Sequence, residues 1–305
     1  MQKNYLKLPI AVIGAGSMVG SRFCDLTRDE LKLIEADVRG ENPIDITLEK
    51  STEAFFKTHD FSSLILFSAY TDVEGAEAQR GDKSGICWKI NVVGVENIVK
   101  ASRKYGRKLI FISTDFVFDG KKGPYNEDDP TGKKPEDISW YGLSKIEGEK
   151  SIIKSLNDAV IIRISYPYRE RFKTKDDIAK RVLRLARENK LYPMFADQKI
   201  TPTFIDDLPK AFKLIMKKNQ SGIFHVTSPK VTTQHRFAEK LLSIFKLNVK
   251  VEKGSLTEYL KPGGKTPRPL NGGLNVSKLV KLGFTPTSWD NGIKVIFNQS
   301  QGKLI

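Results

Sequence analysis

Tyr141 and Lys145 stand four residues apart in the run Tyr-Gly-Leu-Ser-Lys. On a helix that spacing puts both side chains on one face, so a phenol and an ammonium project into one site. A phenol titrates near 10 in water, and a neighbouring cation lowers that value toward neutrality, where it can exchange a proton with a substrate. The spacing alone has little weight, because nine tyrosines in a chain this rich in lysine give about one such pair by chance. Its setting adds the weight. Phe111-Ile-Ser113-Thr114-Asp115-Phe116-Val-Phe118-Asp119-Gly120 reads as a buried strand that ends in hydroxyls, and open parallel sheets bind ligands beyond the carboxyl ends of their strands. Thr114 falls there, where its hydroxyl could hold a carbonyl oxygen while Tyr141 protonates it. The competing reading has Ser113 and Thr114 only capping the strand.

A second constellation lies near the start. Gly14-Ala-Gly16-Ser17-Met18-Val19-Gly20 follows the apolar run Ile10–Ile13 and opens a helical pattern. Glycines let the backbone turn sharply and approach a pyrophosphate, and the N-terminus of the next helix faces its charge. Asp37, about twenty residues further on at the end of the second strand, is placed to bind an adenosine ribose hydroxyl. Arg39 could instead meet a 2′-phosphate, so NAD and NADP both stay open as the cofactor. A structural tight turn beside a surface acid is the alternative.

These groups need a scaffold that sets strand ends side by side. Short β-rich runs alternate with amphipathic stretches through the first half, which predicts βαβ units and a parallel sheet. The expected strands are Ile10–Ile13, Leu33–Ala36, Leu64–Ser68, Leu109–Ser113 and Val160–Ile164, with a sixth at Gly222–Thr227. The expected helices between them are Met18–Thr27, Thr47–Thr58, Lys89–Lys104 and Trp140–Leu156. Later come helices at Asp177–Asn189 and Asp206–Lys217, then a loop-rich stretch that includes Pro262, Gly263, Gly264, Pro267 and Pro269. The fold class is therefore α/β, a doubly wound parallel sheet with a smaller C-terminal substrate domain. Residues 1–168 with 203–228 are assigned to the dinucleotide-binding domain, and 169–202 with 229–305 to the substrate domain.

Composition narrows the partners. With 305 residues, 39% of them hydrophobic and 29% charged, the chain can bury a large core. Cys24 and Cys87 have no CxxC or histidine-rich spacing, so neither a disulfide framework nor a metal site is expected, and a reducing, cytoplasmic setting is. His59, His225 and His235 are scattered and read as bystanders. Lys3 and Lys7 ahead of the apolar stretch Pro9–Gly20 imitate a secretory signal, but the glycines and the following Arg22 and Asp25 favour a strand and its loop. No stretch has the length of uncharged residues that a membrane helix needs. The net charge of +15 is spread along the chain, densest at Lys180, Arg181, Arg184, Arg187 and Lys190, with no aromatic-interleaved groove. Nucleic acid is not expected as a partner; a positive field suits a small anionic substrate such as one carrying a diphosphate. A homodimer is the candidate assembly.

The motifs together resemble an extended short-chain dehydrogenase/reductase, and more narrowly the dTDP-4-dehydrorhamnose reductase family. The resemblance is carried by Ser113-Thr114-Asp115-Phe-Val-Phe-Asp119-Gly120, Pro124-Tyr125, Glu127-Asp128-Asp129-Pro130 and Tyr141-Gly-Leu-Ser-Lys145. It extends to Ala69-Tyr-Thr71-Asp-Val73-Glu-Gly-Ala-Glu77, Ile90-Asn91-Val, Arg163-Ile-Ser165-Tyr166 and Arg268-Pro-Leu-Asn271-Gly-Gly-Leu274-Asn275, with Trp289 later. It implies a Rossmann-type sheet and reduction of the 4-keto group of a nucleotide-linked deoxysugar by NADPH or NADH. Tyr141 would be the general acid and Thr114 would position the carbonyl. Lys145 would hold the nicotinamide ribose and depress the tyrosine pKa. Asp45 and Ile46 would meet the adenine, though Asp45 also reads as a cap near Thr47. Ser68, Ala69 and Tyr70 would line the cofactor channel, while Val73, Asp115, Phe116 and Tyr166 would touch the sugar. Ser17 stands where the family's glycine loop usually has glycine, and Phe116 and Tyr166 where relatives often carry tyrosine and tryptophan. A sugar-nucleotide epimerase or dehydratase is an alternative on the same scaffold, although dehydratases usually place Asp-Glu after the threonine where Asp115-Phe116 stands here. A non-catalytic regulatory subunit, like the β subunit of methionine adenosyltransferase, is a further one.

Overall fold

Alternating apolar side chains along short strands decide the architecture. The computed structural model describes residues 8–261 and 265–303; Lys3, Lys7 and the run Pro262-Gly263-Gly264 lie outside them. The strands are β1 (Ile10–Ile13), β2 (Leu33–Ala36), β3 (Ser63–Leu66), β4 (Lys108–Thr114), β5 (Val160–Ile164), β6 (Met194–Phe195), β7 (Gly222–His225) and β8 (Lys253–Gly254). The helices are α1 (Met18–Thr27), α2 (Glu49–Thr58), α3 (Val73–Glu77), α4 (Ile86–Trp88), α5 (Val95–Tyr105), α6 (Trp140–Ser155), α7 (Ile178–Arg187), α8 (Asp207–Lys217), α9 (Gln234–Ile244), α10 (Leu256–Tyr259), α11 (Ser277–Lys281) and α12 (Trp289–Gln299).

Six strands pair in parallel in the order β2-β1-β3-β4-β5-β7. Ile10, Val12, Ile65, Ile110 and Ile162 face one way and pack with Phe23 of α1 and Phe212 and Ile215 of α8. Ala11, Ile13, Leu64, Leu66, Phe111 and Ile161 face the other way, against Phe55 and Phe56 of α2, Val95 and Ile98 of α5 and Ile152 of α6. Strands covered on both faces lose the polar half of their alternation, which is why these runs are continuously apolar. Each fully buried Ile or Phe contributes roughly 1.5–3 kcal/mol relative to exposure. The chain leaves β1 toward β2 on one side and returns as β3 on the other, so a crevice opens at the carboxyl ends of β1 and β3.

The strands match the sequence expectation to within two or three residues at their ends. Two helices begin elsewhere, for local reasons. The one expected from Thr47 starts at Glu49, because the Asp45 carboxylate accepts from the Thr47 N–H at 2.9 Å and from its hydroxyl at 2.7 Å, holding a turn there. The one expected from Lys89 begins at Ile86 and passes through a π-helical turn, Lys89–Gly94, before α5. The two-residue strands β6 and β8 pair only with each other and carry no periodicity from which to be read.

The second half builds its own core from Ala179 and Leu183 of α7, Phe237 and Leu241 of α9, and Ile293 and Ile296 of α12. On that separate core we propose the division of 1–168 with 203–228 from 169–202 with 229–305. Leu279 of α11 and Phe284 join the sheet-side core instead, so the C-terminal segment packs against both parts. The seam is polar: Arg169 Nη1 donates to the Met18 carbonyl at 3.0 Å and to Ser21 Oγ at 2.9 Å, and Arg22 lies 3.8 Å from the Glu170 carboxylate.

His225, at the end of β7, is fully buried with Nδ1 3.0 Å from the Asn275 carbonyl oxygen. Burial, reinforced by the Arg163 charge, pushes its pKa down to about 3. A folded value below the unfolded one near 6.5 means that its contribution is fully present above pH 6.5 and is lost as the pH falls through about 3. We expect this residue to account for roughly 3–5 kcal/mol of acid destabilisation. Denaturant unfolding followed across that range should show a shallower acid slope in His225→Gln than in the wild type.

Candidate active site

The site is assembled by helix α6 pressed onto the end of β4. Ser139 caps α6, its Oγ accepting from the Gly142 N–H at 3.1 Å. Position 142 must be glycine, since a Cβ there would sit 2.3 Å from the Phe116 carbonyl oxygen. That approach brings Tyr141 against the 3-10 turn Asp115–Val117 that follows Thr114. Lys145 lies one helical turn later, buried, with Nζ donating to the Ile112 carbonyl at 2.8 Å and lying 3.9 Å from the centre of the Phe111 ring.

Protonation follows from burial. The Tyr141 phenol is held above its ordinary value, chiefly by desolvation, with a hydrogen bond from Thr114 working against it. The Lys145 ammonium is driven down to about 7 by burial, opposed by the charge of Glu149. The expected depression of the tyrosine by the lysine does not emerge: burial and the Asp115 charge hold the phenol up, while one lysine N–H is engaged by a backbone carbonyl. Asp115 is pushed up to about 6 by burial, against hydrogen bonds from Ser165 and Thr114. The Ser165 hydroxyl donates to Asp115 at 2.7 Å and the Thr114 hydroxyl at 3.2 Å, while Thr114 Oγ1 accepts the Phe116 N–H at 3.2 Å. Ser113, one residue earlier on β4, is buried as well.

The residues expected on the sugar side converge. Phe116 and Tyr141 form one apolar cluster with Ala76, Cys87 and Trp140, and Tyr70, Val73 and Tyr166 pack against it. The Phe116 ring centre is 5.9 Å from that of Tyr141 and 6.4 Å from that of Tyr166. Tyr166 holds φ at +41°, a left-handed conformation that is uncommon for a bulky side chain and that tends to mark functional positions. Its hydroxyl donates to Gln198 Oε1 at 3.3 Å and accepts from Gln234 Nε2 at 3.4 Å.

The crevice beside this cluster fits a dinucleotide. Gly14 turns with φ at +85°, and a Cβ on Gly20 would come 2.3 Å from the Gly14 carbonyl oxygen. Ser17 caps α1 by accepting from the Gly20 N–H at 3.0 Å, and Met18 and Val19 form the first turn, so the helix N-terminus faces the crevice. Ser17 thus serves as a cap where the family's loop carries glycine. The Asp37 carboxylate reaches the same loop, accepting from the Gly16 N–H at 2.9 Å, and Arg39 is exposed two residues on. Ser68, Ala69 and Tyr70 leave β3 on the opposite wall, partly exposed. Asp45 is engaged in its own turn, and Ile46 is buried against Gly94 of the π-helical turn.

The family model described as the RmlD substrate binding domain matches residues 8–301. The chain belongs to that family. It is 28% identical to the spore coat polysaccharide biosynthesis protein SpsK of Bacillus subtilis over 287 residues, covering 93% of this chain and 95% of that one. It is 28% identical to a dTDP-4-dehydrorhamnose reductase of Sinorhizobium fredii over 298 residues, covering 93% and 95%. The crystal structure of dTDP-4-dehydrorhamnose reductase from Bacillus anthracis in complex with NADP superposes with a TM-score of 0.85 at 27% identity, covering 96% of this chain and 99% of that one.

Several contacts of this RmlD-family site were not legible beforehand. Asn91, on the π-helical turn, clamps the Tyr70 backbone, its Oδ1 accepting from the N–H at 2.9 Å and its Nδ2 donating to the carbonyl at 3.0 Å and to Ser144 Oγ at 2.9 Å. The motif around Asn91 was visible; the partners were not. Arg268 and Thr266 of the C-terminal segment both bond Glu74 on α3, beside the cluster. Among the described residues no group of His, Cys, Asp and Glu could hold a metal ion. No described helix is long and apolar enough to cross a membrane.

Gly20→Ala drives a methyl group into the Gly14 carbonyl and should widen the loop. We expect NADPH affinity to fall on the order of tenfold or more, read by cofactor fluorescence titration.

Proposed function

We propose that this chain reduces the 4-keto group of a nucleotide-linked 6-deoxysugar with NADPH or NADH, dTDP-4-dehydrorhamnose being the substrate that the family points to and dTDP-L-rhamnose the product. The observation that carries this reading is the grouping of Thr114, Tyr141 and Lys145 at the end of β4, on the same edge of the sheet as the glycine cradle at the end of β1, with β3 between them. When bound, the reduced nicotinamide supplies the hydride. The chain's own groups supply the rest. A phenol kept protonated by burial is matched to donating its proton to the developing sugar alkoxide. Thr114 turns its hydroxyl from Asp115 to the carbonyl oxygen, its backbone-facing lone pair being fixed by Phe116. The Lys145 ammonium, a turn away, holds the ribose hydroxyls and opposes the charge left on Tyr141. Val73, Asp115, Phe116 and Tyr166 form the wall for the deoxysugar, one carboxylate among apolar surfaces suited to a ring with few hydroxyls.

Cofactor contacts fall to Gly14, Gly16, Ser17, Met18, Val19, Gly20, Asp37, Arg39, Asp45, Ile46, Ser68, Ala69, Tyr70, Tyr141 and Lys145. For Asp45 its own turn is sufficient reason for the residue, so its backbone and Ile46 are the parts offered to the adenine. Both cysteines are free and buried, which supports a cytoplasmic setting.

Incubation with NADPH or NADH and dTDP-4-dehydro-6-deoxy-L-lyxo-hexose should oxidise the cofactor. Tyr141→Phe should lose a factor of about 100 or more in turnover while still binding cofactor. Equal turnover in the variant would remove Tyr141 as the acid. Cofactor binding without oxidation by any keto-sugar nucleotide would favour a regulatory binding protein instead.

A further inference from the structure

Helix α6 carries a third buried polar side chain in register with the first two: Tyr141, Lys145 and Glu149 follow at four-residue spacing. Arg163 on β5 grips the Glu149 carboxylate with two bonds, Nε to Oε1 at 3.0 Å and Nη2 to Oε2 at 2.6 Å. The guanidinium lies 5.0 Å from the centre of the Phe118 ring. In the sheet Arg163 is registered beside Ser113, the residue after Ile112, whose carbonyl accepts the Lys145 hydrogen bond. The lysine and the carboxylate are thus fastened to the same pair of strands, from one helix, at adjacent positions. A buried ion pair is a poor source of stability, because desolvation consumes most of the attraction. Its presence behind the site calls for another reason.

We infer that Glu149, anchored by Arg163, is a positioning residue that keeps Lys145 charged and aimed at the cofactor ribose and Tyr141. The inference rests on the role proposed above for Lys145. The charged and titratable neighbours of the ammonium come from three elements. From α6 the ammonium meets Tyr141 and Glu149; from α4, Cys87; from β4, the Phe111 ring and the Ile112 carbonyl; Asp115 lies beyond Tyr141 and Arg163 beyond Glu149. Burial pushes the Cys87 thiol and the Tyr141 phenol up, so both are neutral at pH 7, and Asp115 acts on Tyr141. Glu149 is left as the anion that opposes the lysine's desolvation. Burial already brings Lys145 to about 7 with that help. Without it the folded value drops further, so the lysine sheds its proton at lower pH and its grip on the cofactor fails earlier as the pH rises.

The test is a pH titration of the full chain labelled with 13Cε-lysine, followed by NMR, the Lys145 resonance being identified by its loss in Lys145→Met. Glu149→Gln should lower its midpoint by about one pH unit or more. Glu149→Gln with Arg163→Met removes the stranded guanidinium, so the fold is spared, and should still titrate below the wild type. NADPH affinity, read by fluorescence, should begin its alkaline decline at correspondingly lower pH in both variants. A midpoint unchanged in the variants, or restored in the double one, would overturn the inference and leave Glu149 as no more than the counter-ion of Arg163. The titration needs neither cofactor nor turnover. A lowered midpoint in a protein without reductase activity would therefore sink the proposed reaction and spare the electrostatic role.

Discussion

A lysine taken out of water is the constraint around which this site is organised. Its charged form is costly in a low-dielectric interior unless hydrogen bonds and counter-charge replace the lost hydration. The protein supplies a strand carbonyl, an aromatic face and a carboxylate one turn along the same helix. Each replacement fixes geometry as well as charge. The carbonyl ties α6 to β4, and the carboxylate, through Arg163, ties it to β5. The glycine at 142 then lets the helix approach until Tyr141 and Thr114 share a site. The helix cannot be shifted along the sheet without exposing one of these compensations, so the spacing of phenol and hydroxyl is set by the need to keep the ammonium satisfied.

The cofactor cradle obeys a similar logic at the neighbouring switch in strand order. Gly14 and Gly20 close on one another, Ser17 caps the helix between them, and Asp37 reaches back to Gly16. Opposite, Asn91 satisfies both backbone groups of Tyr70, so the second wall is held by a side chain where a strand ladder would normally do it. A π-helical turn carries that asparagine, and the wider turn is the kind of irregularity that clusters at working sites. The two walls belong to different βαβ units, and the shared sheet joins them.

How much of this could be read in the chain beforehand depended on whether the cause was local. The strands were legible because both-face burial writes continuous apolar runs; the helices α1 and α6 were legible from their patterns, and the structure adds the serine caps that start them. Thr114, Tyr141 and Lys145 were legible as a motif with the right strand ahead of it. Asp45 was ambiguous, since an acid two residues before a threonine suits a turn as well as a ligand, and the turn is what forms. Glu149 and Arg163 sit in plain view on predicted elements, yet nothing in sequence says that residues 14 apart meet across a helix and a strand. The same holds for Glu74 with Arg268, whose meeting depends on the C-terminal segment running back along the 120–126 loop, where the Asn271 N–H donates to the Gly120 carbonyl at 2.7 Å.

If the proposed reaction holds, that returning segment lies where substrate choice would be made. On the proposed reading, the hydroxyl comes from the end of β4, the acid from α6 and the cradle from the β1–α1 turn, whereas Tyr166 on the sugar wall is held by Gln198 and Gln234 of the second half. Tyr166 stands at the junction in a conformation that costs energy, and its neighbours keep it there: the Thr203 N–H donates to the Ser165 carbonyl at 2.7 Å and Thr203 Oγ1 accepts from the Ser165 N–H at 3.0 Å. Gln198 and Gln234 hold its hydroxyl from outside. The strain aims the Tyr166 ring toward Phe116, and it is sustained by backbone contacts that a change of side chain at 166 would leave in place. Substitution there can therefore reshape the wall without disturbing Thr114, Tyr141 or Lys145. On the proposed reading, the fold in this way separates the chemistry, which is locked to the buried lysine, from the fit of the sugar, which is carried on a joint that can vary.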